Sequence, residues 1–430
     1  MRLRFACVAA VILATAAPVA AQDPWIAANR DRLLDLYRHL HTHPELSFKE
    51  VETAKRLASE LRDAGADVTE GVGKLGVVAV IKNGPGKTVL VRSDLDALPV
   101  TEATGLSYAS KATAKDDEGN AVGVMHACGH DMHMTCLVGV ARWLNDHKDT
   151  WSGTVVLIGQ PAEEKVGGAR EMLADGLYKR FPKPDYALAL HVAHDLEAGK
   201  IGYRSGPAMA SSTSVDITVK GKGGHGAMPH NTIDPIVLAS ALVMDMQTIV
   251  SREVKPIDPA VITVGSIHGG TKHNIIPGDV KMQLTLRAFK DDVRDQLIEG
   301  IKRRAKGLAD AHKAPAPTIE ISDGTPATVN TPALVAKVVP SLVAALGEKN
   351  VEEVEPTMGA EDFGLFGEGG VETFMFRLGT IPPAKVAASK ASGDPLPSLH
   401  SAFYFPDPVP SVETGVRAMT AAVVGLLPPK

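Results

Sequence analysis

Cysteine and aromatic residues are scarce: the chain has 3 Cys in 430 residues, and Phe, Trp and Tyr make up 4%. So few thiols exclude a disulfide-stapled scaffold. No basic run or aromatic-basic interleaving breaks a chain whose 45 Lys and Arg face 50 Asp and Glu, for a net charge of −5. A phosphate-tracking surface is therefore absent, and nucleic acid is not an expected partner. Past residue 21 no apolar run is long enough to span a bilayer.

An apolar content of 44% over this length is enough for more than one core, in two or three domains of a soluble globular protein. The opening MRLRFACVAAVILATAAPVAA has two arginines, roughly fifteen apolar residues and a small-residue end at Val19-Ala20-Ala21, the pattern of a cleaved export signal. Residues 1–21 are read as a signal peptide, giving a periplasmic or secreted product with no membrane contact after cleavage. An uncleaved anchor is the alternative, and the shortness of the apolar run opposes it. Cys7 opens that run instead of following it, so a lipid-anchored cysteine is not expected. The chain has no Asn-x-Ser/Thr sequon, which favours bacterial export over a eukaryotic secretory route.

Helical spacing of apolar residues marks 25–40 and 50–64. Short β-rich runs follow at 75–82, 88–93, 153–160 and 185–192, with helices at 131–147 and near 167–179. Strands alternating with helices predict an α/β fold whose mainly parallel sheet is covered on both faces. Between 213 and 322 the order becomes strand, helix, strand, strand, helix, strand, which predicts a ferredoxin-like α+β domain inserted into the first. The expected division is a catalytic domain over 22–210, the inserted domain over 211–323, and the catalytic domain resumed over 324–430, with helices at 332–346 and 410–426. The Pro-, Ala- and Ser-rich segment 382–398 is expected to be a surface loop.

Open α/β sheets bind ligands beyond the carboxyl ends of their strands, and reactive residues collect there. Asp94 and Asp96 follow the 88–93 strand, Glu163 and Glu164 follow 153–160, His191 ends 185–192, and Cys128 and His130 precede the 131–147 helix. Such a concentration on one edge predicts a single constructed site. Cys128 and His130 flank Gly129; on a helix they would diverge, but from a turn both can reach one cation. A Cys128–Cys136 disulfide is the alternative in an exported protein. It needs Cα atoms within about 7 Å, whereas Cys136 falls more than a turn inside the predicted helix. Supporting or surface roles are expected for His126 and His133. In an extended chain Glu163 and Glu164 point to opposite sides, one to bind metal and one to move a proton from an activated water to a leaving amine. Asp96 is the candidate for orienting a ligand from behind. Two histidines and a thiolate with carboxylates suit zinc, manganese or cobalt in preference to calcium or magnesium.

The motifs HTHPELSFKE (41–50), SDLDALPV (93–100), HACGHDMHM (126–134), GQPAEE (159–164), LHV (190–192), GKGGHGAMPH (221–230), NIIPGDV (274–280), MGAEDF (358–363) and LHSAFYFPD (399–407) occur in that order. With them the chain resembles, from about residue 30 to 410, the two-metal aminoacylase and carboxypeptidase family. The likeness is to its amidohydrolase branch of hippurate hydrolases, N-acyl-amino-acid amidohydrolases and plant auxin-conjugate hydrolases. The resemblance implies that Cys128, His130, Glu164, His191 and His400 hold two divalent metal ions and that Glu163 is general base and acid. It also implies a lid and dimerisation role for the inserted domain, and hence a homodimer. His225 would help hold the scissile carbonyl, often in the neighbouring subunit's site, and Asn274 and Arg287 would recognise substrate, including a free carboxylate. Read alone, His225 in its Gly-rich loop is as readily a turn or surface histidine. Two departures concern the substrate pocket. Val-Ala-His-Asp follows His191 where many members have a proline and an aromatic, which makes His194 an additional histidine, and Ser-Ala-Phe at 401–403 replaces the usual Ser-Pro.

The reading that results is an exported dinuclear metal-dependent amidohydrolase of N-acyl or N-aroyl amino acids, or of short peptides with a free C-terminal carboxylate. A deacylase of the N-acetyl-diaminopimelate type is a second enzyme reading. A non-catalytic metal- or peptide-binding relic is the contrasting class, and a relic has no reason to keep Glu163 beside all five ligand positions.

Overall fold

The structure is a computed structural model and describes residues 23–430; the expected signal peptide lies outside the described residues. Helices α1 (Pro24–Thr42) and α2 (Val51–Asp63) lead to strands β1 (Asp67–Val72), β2 (Gly76–Asn83) and β3 (Thr88–Asp94), then helix α3 (His130–Asp146), β4 (Gly153–Gln160), β5 (Tyr186–Glu197) and β6 (Ile201–Tyr203). A second set follows: β7 (Ser211–Lys220), α4 (Pro235–Thr248), β8 (Ala260–His268), β9 (Asp279–Ala288), α5 (Asp291–Ala311) and β10 (Thr318–Thr325). The chain finishes through α6 (Pro332–Leu346), β11 (Val351–Glu353), β12 (Glu372–Ile381), α7 (Pro383–Ser392) and α8 (Pro408–Leu426).

The eight-stranded sheet has the order β1-β2-β4-β3-β5-β12-β6-β11. Its centre, β4-β3-β5-β12, is parallel, whereas β2 runs antiparallel to both neighbours. The period-2 alternation of strands sorts the core. Val89, Val91, Leu188 and Leu190 pack with Leu33 of α1, Leu137 of α3, Leu342 of α6 and Val416 of α8. Leu90, Ala187 and Ala189 face the other way, onto Phe363 and Phe366. Burying each Val or Leu contributes roughly 1.5–3 kcal/mol, so the central strands form a stiff platform. The chain leaves β3 for β4 on one side and returns as β5 on the other. That reversal opens a crevice at the carboxyl ends of these strands.

Residues 211–325 form a sheet of their own, all antiparallel, in the order β8-β9-β7-β10. Leu238 and Leu242 of α4 and Leu297 and Ile301 of α5 cover one face, against Val215, Ile217 and Leu284. This is the ferredoxin-like arrangement expected from the element order.

One expectation is corrected. Segment 382–398 is not a loop throughout, because α7 occupies Pro383–Ser392. Pro383 starts it, AKVAASKAS is rich in good helix formers, Val386 is buried, and Gly393 closes it at φ 78°. The flanking prolines and serines disguised a short helix. Among the described residues no helix is long and apolar enough to cross a membrane.

Candidate metal centre

Gly129 precedes α3 at φ 73°, and a Cβ there would meet Val192 Cγ2 at 2.8 Å. Glycine thus lets the backbone turn sharply between Cys128 and His130 so that both face the crevice. Cys128 Sγ lies 3.6 Å from His191 Nε2. Both described cysteines are free, and Cys136 is buried in the core, so the disulfide alternative is set aside.

The segment after β4 is not extended. Ala162 and Val166 adopt φ 48° and 56°, and Val166 N–H donates to the Glu163 carbonyl at 2.7 Å. Left-handed backbone at non-glycine residues is costly and tends to mark functional sites. Here it corrects the expectation that the two glutamates diverge. His130 Nε2 is 4.0 Å from Glu163 Oε2 and 3.9 Å from Glu164 Oε1. His400, also left-handed at φ 67°, is tied by its N–H to the Ala127 carbonyl at 2.9 Å and brings Nε2 within 3.4 Å of Glu164 Oε1.

The donor atoms of Cys128, His130 and His191 lie within 4.8 Å of one another, and so do those of Cys128, Glu164 and His400. These two triads share the Cys128 sulfur. The donor chemistry fits transition-type divalent cations. His130 Nδ1–H donates to the Asp96 carbonyl at 2.8 Å and His191 Nδ1–H to the Val192 carbonyl at 2.9 Å, which leaves each Nε2 as a lone pair for a metal. His130 Nε2 and Glu164 Oε1 are buried without a hydrogen-bond partner among the described residues, an arrangement that a cation satisfies.

Electrostatics point the same way. Burial, with Glu164 and Glu163 beside it, pushes the Cys128 thiol well up. Burial, with Glu361 and Glu164 beside it, does the same to the Glu163 carboxyl. Burial alone would lower His130, but Asp94 and Asp96 outweigh it and raise the ring to about 10. Anionic donors are crowded into a dry site with too little positive charge, and a bound dication reverses each of these effects.

Asp96 lies buried next to these donors. Its Oδ2 accepts from Ser47 Oγ at 2.6 Å and from Glu164 N–H at 3.0 Å, and its Oδ1 is 3.3 Å from His130 Nδ1. His133 is no surface residue: it is buried, with Nδ1–H donating to Asp94 Oδ1 at 2.6 Å. His126 is buried too, and neither ring nitrogen has a partner among the described residues.

A buried arginine escaped the sequence reading. Arg92 on β3 donates to Asp94 at 2.7 Å, to Glu361 at 2.7 Å, to Asp362 at 3.1 Å and to Gln160 at 2.9 Å. Glu361 and Asp362 belong to MGAEDF, and the signal available was that a motif with adjacent acids requires a counter-charge when buried.

The metal cavity, about 390 Å³, is lined by Cys128, Glu163, Glu164, His191 and His400, and also by Arg287. His225 and Asn274 are not brought to it. They are exposed and sit together where two short segments distant in sequence pair antiparallel, Gly226 N–H donating to the Asn274 carbonyl at 2.8 Å.

An acidic and imidazole-rich crevice at a parallel-sheet edge, with two donor triads and a neighbouring carboxylate, is the centre of a metal-dependent hydrolase of amide or peptide bonds. The sequence profile described as peptidase family M20/M25/M40 matches residues 90–394, and the chain belongs to that family. It is 40% identical over 354 residues to thermostable carboxypeptidase 1 of Saccharolobus solfataricus, covering 81% of this chain and 86% of that one. It is also 40% identical over 336 residues to the hippurate hydrolase of Campylobacter jejuni, covering 77% and 84%. A crystal structure of a dinuclear metal-binding peptidase of this family from Bacillus subtilis superposes with TM-score 0.74 at 30% identity, over 93% of this chain and 99% of that one. The chain is thus a metal-dependent hydrolase, and the relic reading is set aside.

Proposed function

We propose that the enzyme hydrolyses N-acyl or N-aroyl amino acids, or short peptides at a free C-terminal carboxylate, with two divalent ions of zinc, manganese or cobalt. The observation that carries this reading is the shared cavity: Glu163, the donors Cys128, Glu164, His191 and His400, and the Arg287 guanidinium line one space, with His130 buried directly behind it. Bound between Cys128, His130 and His191 and between Cys128, Glu164 and His400, such ions supply Lewis acidity toward the amide carbonyl and toward water.

The chain's own residues do the rest. Glu163, which lines the cavity, takes a proton from the attacking water and delivers it to the departing amine. Asp96 holds His130 and the Glu164 backbone in place. Arg287 pairs with the substrate carboxylate. The names of two relatives, a carboxypeptidase and a hippurate hydrolase, support amides next to a free carboxylate.

In this reading 211–323 is a lid and dimerisation module. Met244 and Ile257, 72% and 73% exposed there, supply apolar surface for a second copy, into whose cavity the paired segments carrying His225 and Asn274 would reach. Residues 1–21 direct export to the periplasm or medium. The deciding experiment is a screen of metal-reconstituted protein against acyl amino acids and dipeptides, scored by mass spectrometry. Release of free amino acids is expected; hydrolysis confined to amides without a carboxylate would overturn the substrate class.

A further inference from the structure

A second cavity, of about 260 Å³, opens beside the metal cavity and shares His191, Met209, Gly359 and Leu399 with it. Val192, Val354 and Met375 add apolar wall, Tyr203 and His194 contribute rings, and Glu355, Arg204 and Arg377 also line it, the two arginines already paired with Glu353 and Asp195. Burial lowers the pKa of His194, so that ring adds a flat, uncharged surface at neutral pH.

The two spaces differ in chemistry on either side of His191. The metal cavity holds Arg287, which burial makes less willing to stay charged and which no neighbouring carboxylate supports among the described residues. An N-acyl amino acid has a matching asymmetry, with an anionic carboxylate at one end and an apolar acyl group at the other. With the carboxylate at Arg287 and the amide at the metal donors, the acyl group points toward the side cavity. An acetyl methyl would leave nearly all of that space unfilled, whereas a benzoyl ring or a medium-length chain covers the walls and displaces their water.

We propose that this side cavity is the acyl-specificity pocket, that it selects aroyl and medium-chain acyl groups over acetyl, and that His194, Tyr203 and Val354 set that preference. The proposal rests on the N-acyl amino acid reading above.

The test compares kcat/KM for N-benzoylglycine and N-acetylglycine in metal-loaded wild type and two pocket-filling variants. The substitutions, Ala208→Phe and Val354→Phe, arise in different segments of the lining. Wild type is expected to favour the benzoyl substrate by about tenfold or more, and at least one folded variant to cut that ratio about tenfold. A ratio that stays the same in both variants, or a wild type that favours acetyl, overturns the pocket while leaving the enzyme reading intact. Cleavage of dipeptides but of neither acylglycine overturns the N-acyl reading and the pocket with it. Calorimetric binding of N-benzoylglycine to Glu163→Gln protein gives a second readout, expected to weaken about tenfold when Ala208→Phe is added.

Discussion

The backbone N–H of Val192 donates to Nε2 of His133 at 2.9 Å. The other nitrogen of that ring donates to Asp94, so α3, β3 and β5 are clamped together next to His191. Both ring nitrogens of His133 are thus engaged in hydrogen bonds, and the ring holds the backbone next to His191, a proposed metal ligand. Replacing it with alanine is expected to weaken metal affinity about 10- to 100-fold, read by chelator competition. An unchanged affinity would remove His133 from the support of the site.

Glu163→Gln keeps the shape of the side chain and removes the base. Metal content by mass spectrometry is expected to stay at the wild-type level while kcat falls by about 10²–10⁴. A variant that turns over at the wild-type rate would assign the proton transfer elsewhere.

Arg287→Ala is expected to raise KM roughly tenfold for an acyl amino acid, because a charge-assisted pair to the carboxylate is lost. The corresponding carboxamide should show little change. Equal losses on both substrates would mean that Arg287 shapes the cavity and does not read the carboxylate.

Arg92→Met leaves Asp94, Glu361 and Asp362 buried without their common counter-charge. A loss on the order of 3–5 kcal/mol is expected in urea unfolding. A variant of wild-type stability would show that these acids protonate at no cost.

His41 lies between Asp131 at 2.7 Å and Glu102 at 3.2 Å. Burial alone would lower its pKa, but the two carboxylates outweigh it and raise the ring to about 9 from 6.5. Because the folded value exceeds the unfolded one, the protonated ring stabilises the fold fully below about pH 6.5, and that contribution is lost as pH rises through about 9. On the order of 3 kcal/mol is at stake. Thermal melts from pH 6 to 9.5 should fall more steeply for wild type than for His41→Gln, and parallel curves would rule the linkage out.

Much of the fold and the donor set was legible in the sequence, because hydrophobic period and strand-end position are local signals. His191 and the Glu163–Glu164 pair follow from where strands end, and Cys128 and His130 from the turn before a helix, while the family resemblance singled out Glu164 as the ligand of the pair. His400 needed the family resemblance, since its place depends on a backbone bond to Ala127, far away in the chain. Helix α7 was hidden by its flanking prolines and serines. The turn that swings both glutamates onto His130 depends on left-handed Ala162 and Val166, which no residue-type preference announces. Arg92 reads as an ordinary strand residue until β3 proves central and Glu361 and Asp362 arrive from the far end of the chain.

The Cys128 sulfur belongs to both of the triads proposed to hold metal, and that sharing would have a thermodynamic consequence. The thiol can surrender its proton only once. In the proposed two-ion site the first ion to bind would meet the cost of making the thiolate, and the second would find it already made. With two ions held as proposed, their occupancies would be linked, with less proton release at the second step than at the first and a steeper pH dependence for the first ion than for its neighbour.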